Sequence, residues 1–334
     1  MRLVFFGTPQ LAVPTLARLL ESPQHRVVGV VTQPDRPRGR GRRLSPAPVA
    51  ERALAAGVPL LRPERVGAED MVGALRALAP DLGVVVAFGQ FLPKSIRELP
   101  RLGYSINAHA SLLPRYRGAA PIAHALLAGE RETGISIMRV EREMDAGAVC
   151  LTRRCAIGEG DSCGDLEQRL AELAAEAVAE ALDAIAADRA QFVAQDESRA
   201  TLAPKLSAGE ALLDFSRPAA ELARRVRALA PKPGATAQLG AERLRILAAR
   251  AEPGASDLAP GAVERGGGAL PGAVERGGGA LRVATGEGWL VLERLQRAGG
   301  RPLSAQEFLR GFALPEGARF TKAGATGGRH AAAD

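Results

Sequence analysis

Runs of consecutive apolar residues alternate with helix-spaced segments through the first half of the chain. LVFFG (3–7), RVVGVVT (26–32), LGVVVAFG (82–89) and SINAHA (105–110) read as strands covered on both faces. Residues 10–21 and 69–79 between them carry helical spacing. This alternation predicts a mostly parallel sheet with helices on both sides, an α/β class. GISIMRV (134–140) and AVCLTRRCAI (148–157) add two further strands, and 163–187 forms the strongest helix, with Asp161 or Ser162 as its cap.

The pattern changes after residue 188. Residues 189–207 keep neither period and read as a linker between a catalytic domain over 1–188 and a second domain over 208–318. In the second domain a helix at 218–229 precedes short strands separated by glycine turns: ATAQL, LRILAAR, GALRVATG and GWLVLERL. These predict a small β-barrel. Residues 321–334 are small and polar, and 319–334 read as a fraying tail. PGAVERGGGAL occurs twice in tandem, at 260–270 and 271–281. Two short copies make no solenoid, so the expectation is a lengthened hairpin in which one copy pairs and the other bulges out.

Composition narrows the class. At 334 residues, the chain is too long for one comfortable core. No apolar run is long enough for a membrane span, and MRLVFFGTPQ reads as a strand rather than a secretory leader. Cys150, Cys155 and Cys163 fit no common zinc spacing and read as reduced thiols, so a cytoplasmic monomer without a metal is expected. The net charge is +7, and residues 205–334, with 19 basic against 13 acidic side chains, hold +6 of it. Either a polyanionic partner or a generally arginine-rich surface would account for that.

The chemistry concentrates in one segment. Asn107 and His109 stand two apart where a strand meets a Pro- and Gly-rich loop, so they project to one side. Asp145 lies in the turn Met144-Asp145-Ala-Gly147. A carboxylate can fix the tautomer of a histidine, and an amide can donate to an oxyanion. Each also has an ordinary structural reading: a strand-end amide, a hydrogen-bonded histidine, a simple turn. The residues alone reach a candidate acyl-transfer site. GTP (7–9) lacks the G-x-G-x-x-G spacing, which disfavours a dinucleotide enzyme.

NAHASLLPRYRGAAPI (107–122) resembles the signature of the folate-dependent formyltransferases. FFGTP (5–9), TQPDRPRGRGRRLSPAPV (32–49), VVAFGQFLPKSI (85–96), ETGISIM (132–138) and MDAGAV (144–149) resemble that family in the same order. The resemblance implies a Rossmann-like first domain followed by a C-terminal β-barrel of the five-stranded oligonucleotide-binding type, and it implies that Asn107, His109 and Asp145 are catalytic. It implies a 10-formyltetrahydrofolate site from Ser111, Leu112, Leu113 and Pro114 together with Val86, Phe88 and Gly89. It also implies formyl transfer to the α-amine of methionine on initiator tRNA. Residues 33–43 carry Arg36, Arg38, Arg40, Arg42 and Arg43 with one acid, and Pro and Gly there predict an exposed loop without regular structure. Arginine suits phosphates and bases, and in the family this loop meets the tRNA acceptor end. Met138 and Met144 read as packing residues. The chain departs from the family at 230–235, where APKPGA lacks an aromatic residue, and in the tandem repeat. The rival readings are a formyltransferase for a small amine, such as an amino-sugar nucleotide, and a non-catalytic RNA-binding protein.

Overall fold

The computed structural model describes residues 1–38, 43–266, 280–314 and 317–322. The chain divides into two compact units. Met1–Ile122, Arg131–Gly158 and Asp165–Lys205 form the first, and Ala123–Glu130, Glu159–Gly164 and Leu206–Asp334 the second.

The first unit holds strands β1 (Arg2–Gly7), β2 (Arg26–Val31), β3 (Arg36–Arg38), β4 (Arg43–Ser45), β5 (Leu60–Leu61), β6 (Leu82–Val86), β7 (Ser105–His109), β8 (Glu132–Arg139) and β9 (Val149–Ala156). The helices in chain order are α1 (Val13–Leu20), α2 (Pro48–Ala55), α3 (Glu69–Ala77), α4 (Lys94–Arg97), α5 (Pro121–Ala128), which belongs to the second unit from Ala123 on, and α6 (Cys163–Ala186), which belongs to the first from Asp165 on. Seven strands make one sheet in the order β5-β2-β1-β6-β7-β8-β9. Strands β5, β2, β1, β6 and β7 run parallel, while β8 and β9 are antiparallel additions. The chain moves outward from β1 to β2 and β5, then returns to the other side of β1 through β6. That reversal places a crevice beside the carboxyl ends of β1 and β6, the usual ligand position in open α/β sheets.

Burial follows the sequence pattern. Five of the six residues of both β1 and β2 are buried, as a sheet covered on both faces requires. Helix α6 buries Leu166, Leu170, Ala174, Ala177, Val178, Ala181 and Leu182, an i, i+4 stripe. The strand expected to reach residue 89 ends at Val86, because Ala87 (φ 47°) and Gly89 (φ 83°) turn the chain through left-handed conformations. Helix α5 carries no periodic signal because PIAHALLA is apolar almost throughout.

The basic segment corrects one expectation. It is not wholly irregular: β3 and β4 pair antiparallel, with Arg36 opposite Ser45, Pro37 opposite Leu44 and Arg38 opposite Arg43. A two-stranded ribbon consists only of edges, where the missing proline N–H is tolerated. Arg40 and Arg42 lie outside the described residues.

The second unit contains α7 (Ala219–Leu229), β10 (Ala235–Leu239), β11 (Glu242–Glu252), β12 (Val263–Gly266), β13 (Ala280–Ala284), β14 (Trp289–Arg297), β15 (Pro302–Ser304), α8 (Ala305–Gly311) and β16 (Phe320–Thr321). Its sheet runs β12-β13-β14-β11-β10-β16, antiparallel throughout, with β15 paired to β14. A bridge between Ala262 and Arg319 joins the two ends, so the sheet nearly closes into a barrel. Leu222, Val226, Leu244, Ile246, Leu281, Val283, Leu290, Leu292 and Phe308 fill it. Ser304 and Glu307 form a capping box that starts α8.

The expectation of one paired and one bulged copy falls largely outside the described residues. Strand β12 comes from the first copy, and β13 begins with Ala280-Leu281, the last two residues of the second. Residues 267–279 between them lie outside the described residues. Among the described residues, no helix is long and apolar enough to cross a membrane.

Candidate active site

Strand β7 presents Asn107 opposite Val85 on one side and Met138 on the other, and His109 opposite Ser136. Both side chains leave the same face of the strand. Their surroundings differ. His109 is buried, whereas Asn107 is half-buried and its amide finds no partner among the described residues. An unpaired, partly dry amide is a donor left available to a ligand.

His109 is held at both ring nitrogens. Nε2 lies 2.9 Å from the Tyr116 carbonyl oxygen. A carbonyl only accepts, so Nε2 carries the proton. Nδ1 lies 3.5 Å from Asp145 Oδ2. The same oxygen accepts the Gly118 backbone N–H at 2.8 Å. The carboxylate is thus aimed at the imidazole by a main-chain donor on the loop that follows β7. Asp145 itself has φ 54°, a left-handed conformation costing a non-glycine residue roughly 1–2 kcal/mol. Gly147, two residues on, cannot carry a side chain, because a β-carbon there would run into the Arg139 carbonyl.

The loop 111–120 is held by hydrogen bonds around two buried polar residues, Ser111 and Arg117. The Ser111 hydroxyl donates to the Arg115 carbonyl at 2.6 Å, and Ser136 Oγ bridges Ser111 O and Leu113 N. Gly118 (φ 121°) approaches the Ala203 carbonyl so closely that a β-carbon would stand 2.7 Å from it. Segment 193–203 runs alongside this loop: Thr201 O accepts Arg117 N–H at 2.8 Å, and Arg117 O accepts Ala203 N–H at 2.6 Å. The Arg117 guanidinium, 7% exposed, donates to both carboxylate oxygens of Glu197 at 2.7 and 2.8 Å and to Gln195 Oε1 at 2.8 and 3.1 Å. The Glu197 carboxylate holds the guanidinium more firmly protonated than usual, and the guanidinium in turn holds the Glu197 carboxyl below its ordinary range. Gln195 Nε2 donates to the carbonyls of Asp145 and Gly147, each at 2.8 Å.

The crevice beside β1 and β6 is tied by side chains. Thr8 Oγ1 and Gln33 Nε2 both donate to the Phe88 carbonyl, at 2.9 and 3.1 Å. Val86 and Phe88 point into the core, Phe88 edge-on to Phe6, so this turn offers a ligand its backbone rather than those side chains. Leu112, Leu113 and Pro114 are half-buried beside the fully buried Ser111.

His109 and Asp145 therefore come together, and Asn107 shares the strand face of His109. Arg36 is exposed on the β3–β4 ribbon, rooted by an Asp35–Arg62 ion pair at 2.8 Å. Met138 is buried as expected, but Met144 is 69% exposed, because the turn that aims Asp145 inward throws its neighbour out. Arg117 falls within the 107–122 signature, where nothing marks its role, and Gln195 and Glu197 carry no signal in the sequence: AQDES (194–198) has no periodicity, and its partners lie some 50 to 80 residues earlier. Burial pushes the Cys150 thiol up to about 11, which leaves it protonated at neutral pH.

A two-part α/β and barrel chain, with an imidazole–carboxylate pair at the end of a parallel strand, has the architecture of a group-transfer enzyme. A formyl transferase model matches residues 1–182 and a formyl transferase C-terminal domain model residues 205–313. The chain belongs to the formyl transferase family. It is 45% identical over 314 residues to a methionyl-tRNA formyltransferase of Methylococcus capsulatus, covering 94% of this chain and 98% of that one. It is 46% identical over 317 residues to a methionyl-tRNA formyltransferase of Halorhodospira halophila, covering 95% and 98%. Among solved structures, HypX from Aquifex aeolicus in complex with tetrahydrofolic acid shares the fold. Its TM-score is 0.60 at 18% identity, over 92% of this chain and 47% of that one, so this chain spans about half of HypX.

Proposed function

We propose that this chain transfers the formyl group of 10-formyltetrahydrofolate to the α-amine of methionine on initiator tRNA, yielding N-formylmethionyl-tRNA for translation initiation in the cytoplasm. The observation that carries the reading is the end-to-end 45% identity to relatives bearing that name, across both domains. An amino-sugar nucleotide as acceptor is the alternative, and the second domain's basic surplus together with the arginine ribbon favours RNA.

The methionyl amine attacks the formyl carbon in its neutral form, and the formyl oxygen gains negative charge. Asn107 is the donor for that oxygen, since its amide gives up no existing hydrogen bond to serve it. The Nε2 proton of His109 is engaged in its hydrogen bond to the Tyr116 carbonyl, so the ring works through its other edge. The Nδ1–Asp145 pair takes the proton released by the amine and returns it to N10 of the departing folate. The carbon–nitrogen bond to the amine forms, the bond to N10 breaks, and no net proton is gained or lost. The folate supplies the activated carbon. The pterin end suits the crevice at 87–90, where left-handed Ala87 and Gly89 expose backbone groups, with 111–114 on its other side.

The deciding assay offers purified protein the formyl donor with either methionyl initiator tRNA or an amino-sugar nucleotide. Formylation of the aminoacyl-tRNA alone is expected. Transfer to the sugar amine with none to tRNA would overturn the reading.

A further inference from the structure

Asp145 is gripped twice. Gly118 N–H fixes its carboxylate, and Gln195 fixes its main chain by donating to the carbonyls of Asp145 and Gly147. We infer that Gln195, itself locked by Arg117, is a positioning residue for the transfer reaction: it holds the left-handed turn 145–147 so that the Asp145 carboxylate faces His109. This rests on the proposed role of Asp145.

The chemistry of the contact admits one orientation of the Gln195 amide. A guanidinium only donates, so Oε1 must face Arg117, and carbonyls only accept, so Nε2 must face Asp145 and Gly147. Both amide protons and both oxygen lone pairs are thereby used. Two carbonyls directed at one point repel each other unless a double donor stands between them, and Gln195 is that donor. Arg117 supplies the other half of the clamp. It immediately precedes Gly118, so the guanidinium that orients Gln195 and the N–H that binds Asp145 leave adjacent residues of one loop. The bidentate Glu197 pair keeps the guanidinium planar with this arrangement. The carboxylate end and the backbone end of Asp145 are thus referenced to the same two residues, although Gln195 lies 50 positions downstream.

Gln195→Glu tests the donor function. It keeps the shape and the Arg117 contact and removes both amide protons. Single-turnover formylation of methionyl initiator tRNA by excess enzyme is compared for wild type, Gln195→Glu, Gln195→Ala, Asp145→Asn and the Gln195→Glu/Asp145→Asn double variant, with thermal melting alongside. The expected result is a roughly ten- to hundredfold slower transfer step in both Gln195 variants, with the enzyme and folate concentrations that give half-maximal rate unchanged. In the Asp145→Asn background the Gln195→Glu effect should shrink to less than about twofold, because a residue that acts through Asp145 has nothing left to position. Wild-type rates in both Gln195 variants, or the same fold-loss with and without Asp145, would overturn the inference. Full activity of Asp145→Asn would instead overturn the catalytic reading beneath it, and the two failures are told apart by that single variant.

Discussion

Deleting residues 271–281 should leave folding and turnover intact. Because the two copies are identical, the deletion places Ala269-Leu270 where Ala280-Leu281 now stand, and the strand still reads ALRVA. Gly266 would then face Ala269, with Gly267-Gly268 between them, a two-residue connection suited to a type I′ hairpin. Ala269-Leu270 would take over the pairing that Ala280-Leu281 now make with Gly266 and Arg265, and the charged contacts that hold the hairpin lie outside the removed segment. Arg282 pairs with Glu264 and with Glu252, each at 2.7 Å, and its guanidinium lies 4.4 Å from the Trp289 ring centre. Net charge is unchanged, since one Glu and one Arg leave together. Shortening the connection from about 13 residues to 2 removes loop-closure entropy on the order of (3/2)RT ln(13/2), about 1.7 kcal/mol in favour of the folded state. Such a gain corresponds to a rise of roughly 3–6 °C in melting temperature. Thermal unfolding and formylation of methionyl-tRNA provide the assay. A melting temperature several degrees below wild type, or loss of tRNA formylation, would show that the intervening residues pair in the barrel or serve the substrate.

His109→Ala should slow transfer by roughly 10²–10⁴-fold, the usual range for a missing acid–base group, while the protein still melts cooperatively; residual activity that tracked only the folded fraction would make the histidine structural. Arg42→Ala with Arg43→Ala should weaken tRNA binding and flatten its log–log salt dependence by roughly 0.7 for each phosphate no longer neutralised, leaving folate affinity unchanged; an unchanged slope would assign these arginines to solvent. Glu197→Gln should reduce the acid sensitivity of stability. The folded carboxyl is held low by Arg117, so its contribution is fully present above the unfolded value near 4.5 and is lost as pH falls through the folded one. Urea titrations from pH 6 to pH 3 should therefore show a shallower decline in the variant than in wild type.

Much of strand β7 and the sheet around it was legible from order alone. Short apolar runs at 3–7, 26–32 and 82–89, bounded by Gly and Pro, read as strands covered on both faces, and i, i+2 spacing puts Asn107 and His109 on one side. The stripe in 163–187 likewise specifies one long helix, because a 3.6-residue repeat suits nothing else over that length. These signals are local, set by backbone geometry and the burial of neighbouring side chains. Other features have no local signal. Ala87, Asp145 and Tyr116 take left-handed conformations that their identities disfavour, and only the surrounding hydrogen bonds impose them. Strand β5 is two residues long and exists only because β2 offers an edge. Segment 189–207 lacks periodicity because its residues pair with the loop 114–120 and the turn 145–147 rather than with each other. Which histidine nitrogen meets Asp145, and that Arg117, Gln195 and Glu197 stand behind it, depend on contacts between residues up to 80 positions apart. Periodicity along a chain records which face each residue turns to the core. The partner waiting there is chosen only when distant segments are brought within a hydrogen bond of one another.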